Sequence, residues 1–441
     1  MVAITLVVSI LLLIFLSIKI KLHPFFALLS VALVYGLLSR LDLLEIMTII
    51  KEAMGSAVVD LGLIVLIGTV TGGLLEASGA TDVIAKKIVK ITGPKLSPIG
   101  LAITGFIVSI PVFCSSTFIL LAPLAKKISK EAKVDFMVMI IALSLGCLVP
   151  TTFMPPAPGP LSAINVLELD IGKVMFVSLL FFIPLLITIY LCARWLGKKY
   201  PYPKTLNEID AQENASKIPF WAAIAPILLP VLLILTKTFL LDQLTTDSVP
   251  YMILASLGTT EIALAVGMLI ALILCWKKQK DATIWQFDGI VGNSLRTGAQ
   301  ILMIICAGSA FGAILQATEL KDVLAKLMVG SSLGLLTPFL IGVLFRTAIG
   351  SITVSLLTAT LIIAPVIPAM GYDSTLGTML IFLACASGSF MVFHGNDDMF
   401  WSVVTASDLE SKYAYKVLPI TSVIVSLVAF TIVMLLSFVL L

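Results

Sequence analysis

Two apolar stretches of this chain run into residues that cannot sit unprotected in lipid, and that conflict limits the fold more than any other feature. The first ends in Pro150-Thr151-Thr152-Phe153-Met154-Pro155-Pro156-Ala157-Pro158-Gly159-Pro160. The second ends in His394-Gly395-Asn396-Asp397-Asp398-Met399-Phe400-Trp401. Proline has no N–H and clashes with the turn before it, so the first stretch is expected to stop being helical there. Two carboxylates beside Asn and His are expensive in a bilayer unless they face a polar cavity. Irregular backbone at that depth survives only where protein or a cavity surrounds it. Both motifs therefore read as broken membrane helices that offer polar groups to a solute.

The composition requires many spans. Of 441 residues 59% are hydrophobic and 12% charged, with a mean hydropathy of +1.14, where soluble proteins carry about 25% charged residues. No basic module interleaved with aromatics is present, so no nucleic-acid partner is expected. The six cysteines lie far apart without CxxC spacing, which suits packing rather than disulfides or zinc. His23 and His394 are the two histidines and are distant in sequence. No metal and no cofactor are expected. In the apolar segment 2–20 the basic residues Lys19 and Lys21 come at and after the end, the reverse of a secretory signal, so it reads as a retained first helix.

Spans are expected at 2–20, 24–38, 58–78, 134–149 and 174–196, and again at 218–241, 253–276, 297–317, 376–393 and 417–439. Amphipathic stretches fall at 42–51 and 281–296. The apolar run 96–125 is broken at Pro111 and at Cys114-Ser115-Ser116-Thr117. Two spans need about 20 residues each, so this run suits a re-entrant hairpin. Residues 333–366, broken at Gly350-Ser351-Ile352-Thr353-Val354-Ser355, form its counterpart.

The order of elements repeats across a charged linker, 198–217, which divides the chain into 1–197 and 218–441. At an offset of 240, residues 68–86 match 308–326 at eight of nineteen positions, among them Gly68/Gly308, Gly72/Gly312 and Asp82/Asp322. At an offset of 242, Ser109 meets Ser351, Ala122-Pro123 meets Ala364-Pro365, and Gly146 meets Gly388. Loops 86–95 and 126–133 hold eight lysines, whereas their counterparts 326–334 and 368–375 hold Lys326 alone. Positive charge marks the cytoplasmic side, so the two hairpins are expected to enter from opposite faces. With both termini outside, the cytoplasmic segments 19–21, 86–95, 126–133, 194–217, 277–296 and 412–416 hold 21 of the 28 Lys and Arg. The fold expected is an all-α polytopic membrane protein of the cell membrane. It is an inverted repeat of five spans plus one re-entrant hairpin per half, with broken helices, which is the layout of secondary transporters.

At these residues the chain resembles the gluconate permease family of proton-coupled sugar-acid transporters. Three stretches carry the resemblance: 153–160 with Asp170-Ile171-Gly172-Lys173, then 346–365, then His394, Asn396, Asp397, Phe400 and Trp401 in their spacing. It runs in matching order over nearly the full length. It implies a moving transport domain of hairpins and broken helices beside a scaffold, usually in a homodimer. The chain departs from the family at Cys114-Ser115-Ser116, where an acidic residue is usual, and at Ala157, where a His is usual.

A carboxylate taken from water needs donors, and hydroxyls and amides at helix N-termini supply them. Ser115, Ser116 and Thr117 in one hairpin, and Ser351 and Thr353 with Ser355 in the other, are suitably placed. Singly, each is as well explained by bonds to its own helix. Pro156, Gly159 and Gly350 border the same breaks. Arg346 suits a carboxylate bidentately, or else snorkels to the outer surface. Asp397 is the candidate proton-coupling group, with His394 and Asn396 orienting it or binding hydroxyls, and its bland alternative is a helix cap. Asp398 reads as the solvated or capping member of the pair. Glu76 reads as an extra titrating group or a helix-end charge.

The sequence thus predicts a secondary active transporter, with a proton preferred to sodium as the coupling ion. Its solute is a small organic anion such as gluconate, another sugar acid or a hydroxy acid, and the alternative is a polar amino acid such as D-serine. A channel would need a continuous polar pore. An intramembrane hydrolase would need Cys114 or Ser115 to meet His394.

Overall fold

The computed structural model describes residues 22–204, 218–246, 248–278, 282–318, 334–395 and 397–440, with scattered positions between 5 and 20. All regular elements among them are helical. Among the described residues eight helices are long and apolar enough to cross a membrane, or nine if the bent pair Ala80–Thr92 and Pro94–Val108 forms one span. In the first expected span, 2–20, nine positions lie outside the described residues and eight of the others are helical, and positions 205–217 of the linker lie outside the described residues.

Helix ends follow local chemistry. Asp42 opens Leu43–Ser78 by accepting from the Leu44 amide at 3.0 Å. Asp135 and Asp170 do the same for Phe136–Phe153 and Ile171–Lys199, at 2.8 and 2.7 Å. Carboxylates are favoured caps because they satisfy amides that have no partner inside the helix. Gly79, at φ +74°, closes Leu43–Ser78 in the left-handed region that favours glycine.

Several boundaries differ from the sequence reading. The amphipathic stretch 42–51 and the span 58–78 form one helix of 36 residues, Leu43–Ser78. Gly55 costs such a helix only about 1 kcal/mol relative to alanine, too little to break it. The later part of stretch 281–296 likewise runs into span 297–317 as Ile290–Gln316, and Ala282–Trp285 forms a separate short 3-10 turn. The span 253–276 is two pieces, Val249–Leu257 and Thr260–Lys278. Between them, a Cβ on Gly258 would lie 2.9 Å from the Leu233 carbonyl oxygen of the neighbouring helix. Pro24–Leu38 has 15 residues, short of the roughly 20 that cross a bilayer upright.

The packing falls into two groups. Leu43–Ser78 and Ile290–Gln316 lie along one another, flanked by Thr260–Lys278 and Pro24–Leu38 respectively. The second group pairs Ser97–Val108 with Phe136–Phe153, and Leu336–Ile349 with Thr375–Phe390. Glycines make both close approaches: a Cβ on Gly146 would lie 2.7 Å from Ala102 Cα, and one on Gly388 3.0 Å from the Val343 nitrogen. These are the glycines matched at offset 242. Pro158–Val166 packs on Ile352–Ile363, just as Asp398–Ala406 packs on Cys114–Ala132. The first two pairs lie one in each half of the chain, and the last two join the halves.

One face ties several loops together. The Tyr202 amide donates to Asp135 at 3.1 Å, its hydroxyl donates to the Ser407 carbonyl at 2.8 Å, and Lys204 pairs with Asp408 at 2.8 Å. Lys204 holds the Asp408 carboxyl below the usual carboxylate range.

Candidate functional site

The second break begins where Thr375–Phe390 ends. Val392 sits at φ +56°, a region a β-branched side chain rarely enters and one often found at functional sites. Asp397 then caps Asp398–Ala406, its Oδ1 accepting from the Met399 amide at 2.8 Å. Its Oδ2 accepts from Nη2 of Arg346, whose Nη1 donates to the Gly350 carbonyl. Arg346 is 0% exposed and Asp397 4%. Arg346 Nε is buried without a partner. Gly350, at φ +86°, turns the chain so that its carbonyl reaches the guanidinium. His394 is half-buried and bonds the Thr347 backbone. The Trp401 indole donates to the Gly395 carbonyl at 2.9 Å, which folds the break back on itself.

The first break starts later than the prolines suggest. Phe136–Phe153 continues through Pro150, with the Thr151 and Thr152 hydroxyls bonded to the Cys147 and Leu148 carbonyls at 3.1 and 2.9 Å. The helix yields at Met154–Ala157 and resumes at Pro158, a favoured first helical position for proline. Pro158 and Pro160 carry no N–H, so Gly159 supplies the one amide donor of that turn.

The hairpin tips cross over. Ser115 of the first hairpin donates to Oδ2 of Asp398, in the second break, at 3.3 Å. Thr353 of the second hairpin lies against Gly159, in the first break, where an added Cβ would meet Thr353 Cα at 3.2 Å. Cys114 lies near Thr151 of one break and the Asp397–Asp398 pair of the other. Phe113, which opens Cys114–Ala132, makes no capping bond with its side chain, so that helix presents its first amides at the tip. Ser351 caps Ile352–Ile363 through the Val354 amide at 3.4 Å.

A cavity of about 370 Å³ opens beside the first tip, lined by Ser116, Pro111–Phe113, Thr69, Gly72, Glu76, Asn293, Ser294 and Thr297 among others. That volume lies within the range of about 300–1,000 Å³ typical of small-molecule sites. Past Thr69 and Pro111–Phe113 it meets a narrower crevice bordered by Gly68, Ser109, Thr151, Pro156 and Ala157. The second hairpin is sealed by comparison. Gly308 and Gly312 leave the space that the side chains of Leu357 and Leu361 fill. Gly68, the counterpart of Gly308, has no atom within 4 Å of an added Cβ, and Gly72 faces Pro111 and Val112 instead.

The residues expected from sequence therefore separate. Ser116 and Pro156 line the open space, and Gly159 and Thr353 form one crossing. Ser115 forms the other, but with Asp398 as its acceptor. Thr117 is fully buried, and its hydroxyl has no partner. Arg346 does not snorkel; it is enclosed with Gly350 and Asp397. Asp397, not Asp398, is the capping carboxylate, and Asp398 is exposed. Asn396 lies outside the described residues. Glu76, read from the sequence as a titrating group or a helix-end charge, lines the cavity, and it is joined there by Asn293, Ser294 and Thr297, which the sequence reading does not single out although 293 and 294 lie four and three residues before 297 on one helix. Among the described residues no three His, Cys, Asp or Glu are placed to hold a metal.

The profile of the GntP family permeases matches residues 1–439. The high-affinity gluconate transporter of Escherichia coli K12 is 30% identical over 433 residues, covering 96% of both chains. The D-serine transporter DsdX of the same strain is 28% identical over 440 residues, covering 99% of this chain and 98% of its own. Among solved structures, the YdaH transporter of Alcanivorax borkumensis superposes with a TM-score of 0.64 at 14% identity, over 95% of this chain and 98% of that one. At that identity the match speaks to fold alone.

Proposed function

The chain belongs to the GntP permease family and is a secondary transporter, and from that premise we propose that it carries gluconate or a related sugar or hydroxy acid together with a proton. The observation that carries this reading is the crossing of tips and breaks around the Arg346–Asp397 pair. A proton taken up by Asp397 releases Nη2 of Arg346 for the carboxylate of the solute, and the unpartnered Nε adds a second donor in the same plane. Proton and anion then enter together, and the buried guanidinium never stands uncompensated. Ser116, the tip amides and Gly159 supply donors for hydroxyls, and Ser351, Thr353 and His394 complete the site as the group moves.

Access alternates by sliding of the hairpins and broken helices along the pair Leu43–Ser78 and Ile290–Gln316. The two halves, 1–197 and 218–441, are inverted about the linker, and both termini lie outside. The joining of Asp135, Tyr202, Lys204 and Asp408 on one face supports placing segments 126–133, 194–217 and 412–416 together on the cytoplasmic side. The cavity at Ser116 is then the inward vestibule. The working unit is a homodimer in the plasma membrane, to be checked by light scattering in detergent.

A polar amino acid such as D-serine is the second reading. Glu76 on the vestibule wall and Asp398 at the first tip offer counter-charges for an ammonium group. Proteoliposome uptake of labelled gluconate and D-serine, with and without an inward proton gradient, decides between them. Gradient-driven accumulation of gluconate supports the first reading, and accumulation of D-serine alone replaces it. Flux of both solutes that ignores the gradient and never runs uphill overturns proton symport.

A further inference from the structure

We propose that the pocket at the base of the first hairpin binds the headgroup of an anionic phospholipid. Helix Ala80–Thr92 meets the following helical stretch, Pro94–Val108, at 115°. With the hairpin arm directed into the bilayer, Ala80–Thr92 lies along the membrane surface. Its inner face, Ala80, Ile84 and Ile88, is buried against the protein, and Lys86 and Lys90 point outward. Lys127, from the second arm of the hairpin, completes a three-lysine rim around a pocket of about 450 Å³ whose floor includes Val89 and Ile128. Glu131 stands 4.0 Å from Lys127 and offsets one of the three charges.

Two further observations select a lipid over a soluble anion. Ile91 and Leu96, which flank the turn, are 70% and 43% exposed. Apolar side chains beside lysines are how an interfacial helix seats itself at the headgroup level. The apolar floor also suits the glycerol and upper acyl carbons of a lipid, whereas inorganic phosphate gains nothing from it. The lysines of 86–95 and 126–133 extend this field, and each lysine near an anionic surface contributes about 1 kcal/mol.

The test uses the full-length protein in neutral detergent. Binding of dioleoyl phosphatidylglycerol, dioleoyl phosphatidylcholine and inorganic phosphate is counted by intact-complex mass spectrometry. Phosphatidylglycerol is expected to bind at least tenfold more tightly than phosphatidylcholine. Each of Lys86→Gln, Lys90→Gln and Lys127→Gln is expected to lower that affinity about fivefold. The triple glutamine variant removes the preference, and the triple arginine variant keeps it. If the triple glutamine variant does not purify, the three single variants are read alone. Equal binding of the two lipids, retention of the preference when the lysines are replaced, or phosphate binding as strong as that of phosphatidylglycerol overturns the proposal.

Discussion

Arg346 and Asp397, the one closing the first arm of the second hairpin and the other opening the second half of a broken helix, form an ion pair sealed from solvent. Breaking a buried pair by removing one partner leaves an uncompensated charge and costs about 3–5 kcal/mol, whereas replacing both with apolar groups is often neutral. Arg346→Met and Asp397→Leu are each expected to lower the thermal midpoint of the purified protein sharply. The double variant is expected to recover much of that loss and still to transport nothing. Two single losses that simply add would show that the pair does not act as a unit.

Asp397→Asn tests the coupling proton. Asparagine keeps the capping oxygen for the Met399 amide but cannot take up or release a charge-changing proton. Uptake driven by a pH gradient is expected to fall at least tenfold, while exchange of labelled for unlabelled solute across the membrane persists. Lys204→Gln is the control. Asp408, whose carboxyl Lys204 holds low, is charged above the ordinary carboxylate range and loses its contribution only as pH falls through that lowered value. Its pairing does not change between pH 5.5 and 8, so the pH profile of Lys204→Gln should match wild type. Gradient-driven uptake by Asp397→Asn at wild-type rates would move the coupling group elsewhere.

Gly159 tests the crossing of the second tip with the first break. An added Cβ meets Thr353 Cα at 3.2 Å, tight enough that backbone must shift by a few tenths of an ångström. Gly159→Ala is expected to cost a few-fold in uptake rate with little change in thermal midpoint, and Gly159→Val to abolish uptake. Because the neighbour is a backbone atom, Thr353→Ala should not rescue either. Full rates in Gly159→Val would show that Thr353 and Gly159 need not approach during transport.

The two breaks and the helix–break–helix segments around Pro111 and Gly350 are legible because each rests on local chemistry: prolines without an N–H, carboxylates in an apolar run, and a glycine that can turn left-handed. Where a break falls is not. Pro150 stays within the helix, which yields only at Met154–Ala157, so a proline alone does not say where the chain breaks. The Arg346–Asp397 pair was hidden for a different reason. Each residue was recognised as an unusual charge, but their meeting depends on the return of Leu336–Ile349 onto Thr375–Phe390, a tertiary fact. Glu76 and Asn293 look like helix-end polarity in one dimension, and a cavity between two helices makes them neighbours.

The unequal seating of the hairpins yields the last prediction. Gly312 is covered by Leu361, and the repeat register of 242 makes Ile119 the counterpart of Leu361. Gly72, the counterpart of Gly312, is met not by Ile119 but by Pro111 and Val112, and Ile119 is 53% exposed. On that register the first hairpin sits seven or eight positions out of step with the second. Exchanging the two seatings would bring Ile119 onto Gly72 and close the vestibule at Ser116. In a background with the six native cysteines replaced, Gly72→Cys with Val112→Cys should cross-link in the present state. Gly72→Cys with Ile119→Cys should cross-link in the opposite one. Each link is expected to stop uptake and each reduction to restore it, with added solute and proton gradient shifting the yields in opposite directions. If the second pair never links under any condition while the protein transports, the hairpin does not slide along Leu43–Ser78, and access must change by another motion.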